Sequence, residues 1–210
     1  MPFETTALLG VLAALTVGVI SPGPSFVMVA RMAVATSRAQ ALAAALGMGV
    51  GGVLFGAAAL LGLHAVFQAV PWLYVGLKLA GGAYLCYLGV LIFRSAKQAL
   101  LVSSSDGAAP SAQRAFWLGL TTQVSNPKTA VVYASVFAAF LPQSFSIAFG
   151  VVLLAMVFCI ETGWYALVAL VLSAGTPQKI YLAYKALLDR TAGLVMVSLG
   201  LKLVTSVTRP

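Results

Sequence analysis

The sequence predicts an all-α integral membrane protein: six transmembrane helices in two inverted three-helix repeats, with discontinuous first and fourth helices. Three observations carry that expectation. Of the 210 residues, 61% are hydrophobic and only 8% charged, against about 25% charged in a soluble domain, so the chain cannot clothe a water-facing surface. The apolar residues fall into six stretches near the roughly 20 residues that a bilayer core requires. Two of those stretches are broken by proline at matching places, Ser21-Pro22-Gly23-Pro24 in the first and Ser125-Asn126-Pro127-Lys128 in the fourth.

The first span is Thr5–Ala30. A proline in a helix interior removes a backbone hydrogen bond at about 3 kcal/mol, and no water in the bilayer replaces it. Such a break therefore survives where it lines a cavity or is buried in protein. Pro22, Gly23 and Pro24 read either as an unwound turn with free carbonyls or as a simple kink; the second break favours the turn. The second span, Ala39–Val66, carries Gly47 and Gly51, and Gly52 and Gly56, each pair four apart, a spacing that lets helices approach closely. The third span is Pro71–Phe93, with Trp72 and Tyr74 at one interface. Residues 96–115, with Ser103-Ser104-Ser105-Asp106-Gly107, form the one long polar stretch, a flexible connection between halves 1–95 and 116–210. The fourth span is Phe116–Leu141 and the fifth Phe145–Leu172. Lys179–Arg190 mixes apolar and basic residues as an interfacial amphipathic helix does, and Ala192–Val207 is the short sixth span.

Lysine and arginine set the orientation. Arg31, Arg38, Arg94, Lys97, Arg114, Lys179, Lys185 and Arg190 fall on one face and Arg209 alone on the other. The positive-inside rule places the eight-charge face in the cytoplasm and both termini in the periplasm. Three spans starting outside and three starting inside make an inverted pair, echoed by Gly82 with Gly89 and Gly193 with Gly200 at equal spacing. The net charge of +8 does not point to nucleic acid, because the basic residues sit in loops and form no basic face. Cys86 and Cys159 fall inside spans as buried thiols, and Met1-Pro2-Phe3-Glu4 lacks the basic start of a cleaved signal peptide.

Paired discontinuous helices are the sequence pointer to a transporter's substrate site. Four ionisable groups lie within the spans, Lys78, Lys128, Glu161 and Lys202, each at a cost of about 2.5–3.5 kcal/mol at the bilayer centre. Lys78 and Lys202 lie near helix ends, within snorkelling reach of water. Lys128 follows the second break. It is either a cation ready for a carboxylate, aided by the N-terminus of a restarting helix, or one half of an ion pair with Glu161. Asn126 is placed to cap that helix or to donate to substrate. Glu161 is the one acid at mid-depth. Removal from water favours its neutral form and a nearby lysine its charged form, so it is a candidate proton carrier or the plain partner of Lys128 or Lys78. Trp164 and Tyr165 are pocket walls or helix packing, and Arg31 is a gate or an interfacial anchor. One histidine, His64, and no acid cluster imply no metal site and no cofactor.

Ser21-Pro22-Gly23-Pro24, Arg31, Leu46-Gly47 with Gly51, Lys78-Leu79-Ala80-Gly81-Gly82-Ala83-Tyr84-Leu85, Phe116-Trp117-Leu118-Gly119-Leu120, Asn126-Pro127-Lys128, Leu141-Pro142-Gln143 and Gly193 with Leu199-Gly200 together resemble the LysE/RhtB family of amino-acid exporters, of the homoserine and threonine efflux type. The likeness covers nearly the whole chain in order. It departs at Ser37 and Ala41, where relatives often carry glycine. It implies a bacterial inner-membrane exporter driven by proton exchange and marks Pro22, Gly23, Pro24, Asn126, Pro127 and Lys128.

The resulting expectation is a secondary transporter, not an enzyme, exporting amino acids or close derivatives by proton antiport. Its substrate site comprises Ser21, Pro22, Gly23, Pro24, Asn126, Pro127 and Lys128, with Glu161 as proton coupling or ion-pair residue and Arg31, Lys78, Trp164 and Tyr165 as further gate or pocket candidates. Its partners are an amino-acid-like substrate, protons and the lipid bilayer, with a homo-oligomer as an open option. The rivals are export of another small metabolite or a cation on the same scaffold, a membrane-embedded enzyme, and a non-transporting membrane scaffold. A cation exporter wants an intramembrane cluster of Asp, Glu, His or Cys, and an enzyme wants a nucleophile with a base or a metal; the spans supply neither.

Overall fold

Proline decides where the helices end. The computed structural model describes residues 2–21, 23–69, 73–96, 110–173, 184, 186–187, 190–191, 193–201 and 204–205. The chain runs through α1 (Pro2–Ile20), α2 (Pro24–Ala35), α3 (Arg38–Ala69), α4 (Leu73–Ser95), α5 (Ala112–Val124), α6 (Pro127–Phe140) and α7 (Ile147–Leu172), with a further helical stretch at 193–201 and no strand among the described residues. The first predicted span is the pair α1 and α2, bent by 54°. The fourth is the pair α5 and α6. Pro24 and Pro127 each stand in the first turn of the restarting helix, where the missing N–H would have no intrahelical partner and the fixed φ suits a helix. The cost expected of an interior proline is thereby avoided. The two restarts share a design: the Gly23 carbonyl accepts from the Val27 N–H at 2.9 Å, and the Asn126 carbonyl from the Ala130 N–H at 3.1 Å.

Several boundaries differ from the sequence expectation. α2 continues to Ala35, so Arg31 lies within a helix and not at its end. α5 starts at Ala112, ahead of the expected Phe116, because Ser111 caps it by accepting the Arg114 N–H. Ser146 caps α7 in the same way, accepting from Phe149, while Glu4 accepts the Ser146 N–H at 2.7 Å and ties α1 to the start of α7. Among the described residues, α3 over Arg38–Gly62 and α7 over Ile147–Leu172 are long and apolar enough to cross a membrane, and α1 with α2 makes a third if the bent pair is one span. Gly82–Arg94 and Lys128–Phe140 are shorter apolar helical stretches. The described residues are thus all-helical, with the apolar spans of a membrane protein. The interfacial helix expected at Lys179–Arg190, the sixth span beyond 193–201, Lys202 and Pro22 fall largely or wholly outside the described residues.

α3 packs along both α5 and α7, α4 along α6, and α1 and α2 along α6, α7 and α5. Between apolar helices in lipid, burial alone gives little preference and close backbone approach counts for more. Gly47 and Gly119 supply it between α3 and α5. A Cβ on Gly47 would strike the Phe116 carbonyl oxygen, and one on Gly119 the Ala44 carbonyl oxygen. The four echoing glycines prove to be contact points. A Cβ at Gly89 would lie 2.5 Å from the Gly193 carbonyl oxygen, and one at Gly200 would lie 2.5 Å from that of Gly82. α4 and the 193–201 stretch therefore cross antiparallel with a glycine pair at each end of the contact.

Candidate functional site

The two breaks meet. Lys128, in the first turn of α6, donates from Nζ to the Ser21 carbonyl at 2.7 Å, so the cation that follows one break satisfies a carbonyl left by the other. Gly23 makes room for this reach: a Cβ there would stand 3.1 Å from Lys128 Cδ. Asn126 serves two roles at once. Its Oδ1 accepts the Lys128 backbone N–H at 3.0 Å, capping α6, and its Nδ2 donates to Ser25 Oγ at 2.8 Å.

From Ser25 the hydrogen bonds continue inward. Ser25 Oγ donates to Gln123 Oε1 at 2.7 Å, and Gln123 Nε2 donates to Glu161 Oε2 at 3.0 Å. Tyr133 donates its hydroxyl to Glu161 Oε1 at 2.9 Å. A buried acid is tolerated only when its oxygens are satisfied, and here both are, one by an amide and one by a phenol. α3 closes over this pair at Gly52, where a Cβ would lie 2.8 Å from Tyr133 Oη and from Glu161 Cγ. Six polar or charged residues are buried among the described residues, and all but Ser135 belong to this cluster. The cluster surrounds a cavity of about 20 Å³, also lined by Thr129, Val132 and Tyr165. That is room for one water molecule.

The structure thus brings together Ser21, Gly23, Asn126, Lys128, Glu161 and Tyr165. Pro24 starts α2 at the edge of the group. Pro22 lies outside the described residues, as do the side chains of Pro127, in α6, and Lys78, in α4. Trp164 does not line this cavity; it faces clefts shared with Phe26 and Leu167, one residue around α7 from the buried Tyr165. Arg31 is exposed on α2. Among the described residues no group of three or more His, Cys, Asp or Glu gathers to hold a metal ion.

Sequence reasoning missed Ser25, Gln123 and Tyr133, since it ranked residues by the penalty for burying charge. Helical spacing offered a signal. Tyr133 follows Asn126 by seven residues, which sets it on the Asn126 side of α6. Glu161 and Tyr165, four apart, share one face of α7 by the same rule.

The arrangement offers a cation, a carboxyl group, two amides and two phenols around a small polar space inside apolar helices. Such a set offers both hydrogen-bond donors and acceptors, and charge of either sign, to a polar guest. The family model described as LysE type translocator matches residues 16–207. The chain is 31% identical over 208 residues to the threonine efflux protein of Salmonella typhi, covering 98% of each chain. It is 29% identical over 208 residues, again 98% of each, to the threonine efflux protein of Escherichia coli strain K12. An uncharacterized membrane protein of Haemophilus influenzae is 32% identical over 191 residues, 89% of this chain and 90% of the other. No solved structure matches the chain.

Proposed function

The chain belongs to the LysE family of translocators, and from that premise we propose that it exports amino acids or close derivatives across the bacterial inner membrane by proton antiport. Translocators of this family are transporters rather than enzymes. The observation that carries the reading is the hydrogen-bonded polar cluster joining the two broken helices. Two discontinuous helices facing one another around a cavity are the arrangement in which secondary transporters bind their cargo.

The substrate carboxylate takes the place of the Ser21 carbonyl on Lys128, between the turns Ser21–Pro24 and Asn126–Lys128. An α-amino group then lies toward Glu161, whose gain and loss of a proton couples export to proton entry. A cavity of about 20 Å³ is far below the roughly 300 Å³ of a typical small-molecule pocket, so cargo binding requires the helices to part. Threonine is the first cargo to test, because two of the relatives are named threonine efflux proteins.

In the same reading, residues 1–95 and 116–210 are inverted three-helix repeats joined through 96–115, with both termini periplasmic. The glycine contacts support it. Gly82 and Gly89 correspond to Gly193 and Gly200 in the repeat, and the contacts Gly82–Gly200 and Gly89–Gly193 exchange with one another under that correspondence. The test is uptake of a panel of labelled amino acids, threonine included, into inside-out vesicles with and without an imposed pH gradient. Gradient-dependent uptake of one or a few is the expected result. No uptake of any, from vesicles shown to hold folded protein, would overturn the amino-acid reading and with it the carboxylate site at Lys128.

A further inference from the structure

Two separate spaces meet at one side chain. The polar cavity of about 20 Å³ ends at Tyr133. Beside the same tyrosine, between α3 and α6, lies an apolar groove of about 330 Å³, open at the outside of the bundle and lined by Phe55, Ala58, Ala59, Gly62, Ala130 and Ala134. The Tyr133 ring packs between Phe55 and Phe137, at centroid distances of 5.7 and 5.9 Å, and the residue is 2% exposed. Its hydroxyl end is held by Glu161 at 2.9 Å.

We infer that Tyr133 is a gating residue, a door latched by Glu161 that swings into the apolar cleft and joins the two spaces. The space around the ring is one-sided. At the hydroxyl, α3 presses close, since a Cβ on Gly52 would sit 2.8 Å from Tyr133 Oη. On the cleft side the lining is mostly alanine and glycine, and a Cβ on Gly62 would meet nothing within 4 Å. The cleft opens at the outside of the bundle, where Ala58, Gly62 and Ala134 are exposed, so the ring can enter it without displacing packed side chains. The swing breaks one hydrogen bond, frees Glu161 Oε1 for a proton or for a cargo ammonium, and adds the ring's own volume to a cavity that otherwise holds one water. This inference rests on reading the polar cluster as the cargo site, and it deepens that reading by naming the group that opens it.

The test needs no transport. Cys86 and Cys159 are replaced by alanine, and Val132→Cys, a buried cavity-lining position, reports access of a small water-soluble alkylating reagent to the purified protein in detergent. Val157→Cys, buried away from the cavity, is the control for general loosening. With the latch intact, Val132→Cys reacts slowly. Adding Tyr133→Phe keeps the ring and removes the bond, leaving Glu161 Oε1 short of a partner in the closed state. Labelling at Val132→Cys is expected to rise at least tenfold with no change at Val157→Cys. Filling the cleft with Ala59→Phe, or Ala58→Leu where that variant does not fold, is expected to return the rate to that of the latched protein. An unchanged rate in Tyr133→Phe, an equal rise at Val157→Cys, or acceleration that persists with the cleft filled would each overturn the door. Labelled threonine flux, measured separately in vesicles, tests the cargo reading. Its absence with the labelling pattern intact would remove that reading and leave the door standing.

Discussion

At the scale of the residue, the site is a set of donors and acceptors whose positions make separable demands. Glu161 accepts from Gln123 and Tyr133. Glu161→Gln is nearly isosteric and can reverse its bond with Tyr133, so the variant is expected to bind cargo and to lose the pH-gradient dependence of transport; proton-driven flux at the level of the unaltered protein would remove Glu161 from the coupling role. Lys128 donates to Ser21 across the two breaks. A charge-assisted hydrogen bond is worth about 1.5–3 kcal/mol, so Lys128→Ala is expected to weaken cargo affinity by roughly ten- to a hundredfold, whereas Lys202→Ala leaves it within about twofold, the scatter of such interactions. Equal losses in a direct binding titration would sink the pocket assignment.

At the scale of the element, each restarting half-helix begins at a proline, and Asn126 does for α6 what no side chain does for α2. Asn126→Ala removes the cap and also strips Ser25 of a donor within a buried chain of hydrogen bonds. The expected loss is about 1–3 kcal/mol of stability, read as a lower unfolding midpoint of the detergent-purified protein. Helix contacts give a second prediction. Alanine is better than glycine in a helix by up to about 1 kcal/mol, yet at Gly89 its Cβ would collide with the Gly193 backbone, whereas at Gly163 it meets nothing within 4 Å. Gly89→Ala is therefore expected to lower the thermal unfolding midpoint and Gly163→Ala to hold or raise it. A midpoint unmoved by Gly89→Ala would argue against the antiparallel contact between α4 and the 193–201 stretch.

At the scale of the whole molecule, the fold turns two local defects into one shared site. α1 lies along α6 and α2 along α5, so the end of one broken helix faces the start of the other. α7 supplies Glu161 and α3 closes the ring at Gly52. The proposed orientation has a direct check: reporters fused ahead of Met1 and after Pro210 are expected to be periplasmic and one inserted at 105–107 cytoplasmic, measured by compartment-specific reporter activity. Opposite assignments would overturn the periplasmic termini but leave the chemistry of the cavity as it is.

The sequence by itself determined the membrane class, the places where helices break, the family, and the charged members of the buried polar cluster. These were legible because a buried charge or an interrupted helix in a bilayer carries a penalty of several kcal/mol wherever the rest of the chain goes. Glu161, Lys128, Asn126 and the two prolines therefore announce themselves one residue at a time. The glycine echo between Gly82 with Gly89 and Gly193 with Gly200 was visible as spacing, but spacing does not say which glycine faces which. Only the tertiary structure decided that Ser25, Gln123 and Tyr133 complete the polar cluster and that Trp164 turns away while Tyr165 turns in. Neutral polar and aromatic side chains are tolerated on any face of a membrane helix, so their roles depend on how α2, α5, α6 and α7 dock, and that docking is set by contacts between residues a hundred positions apart.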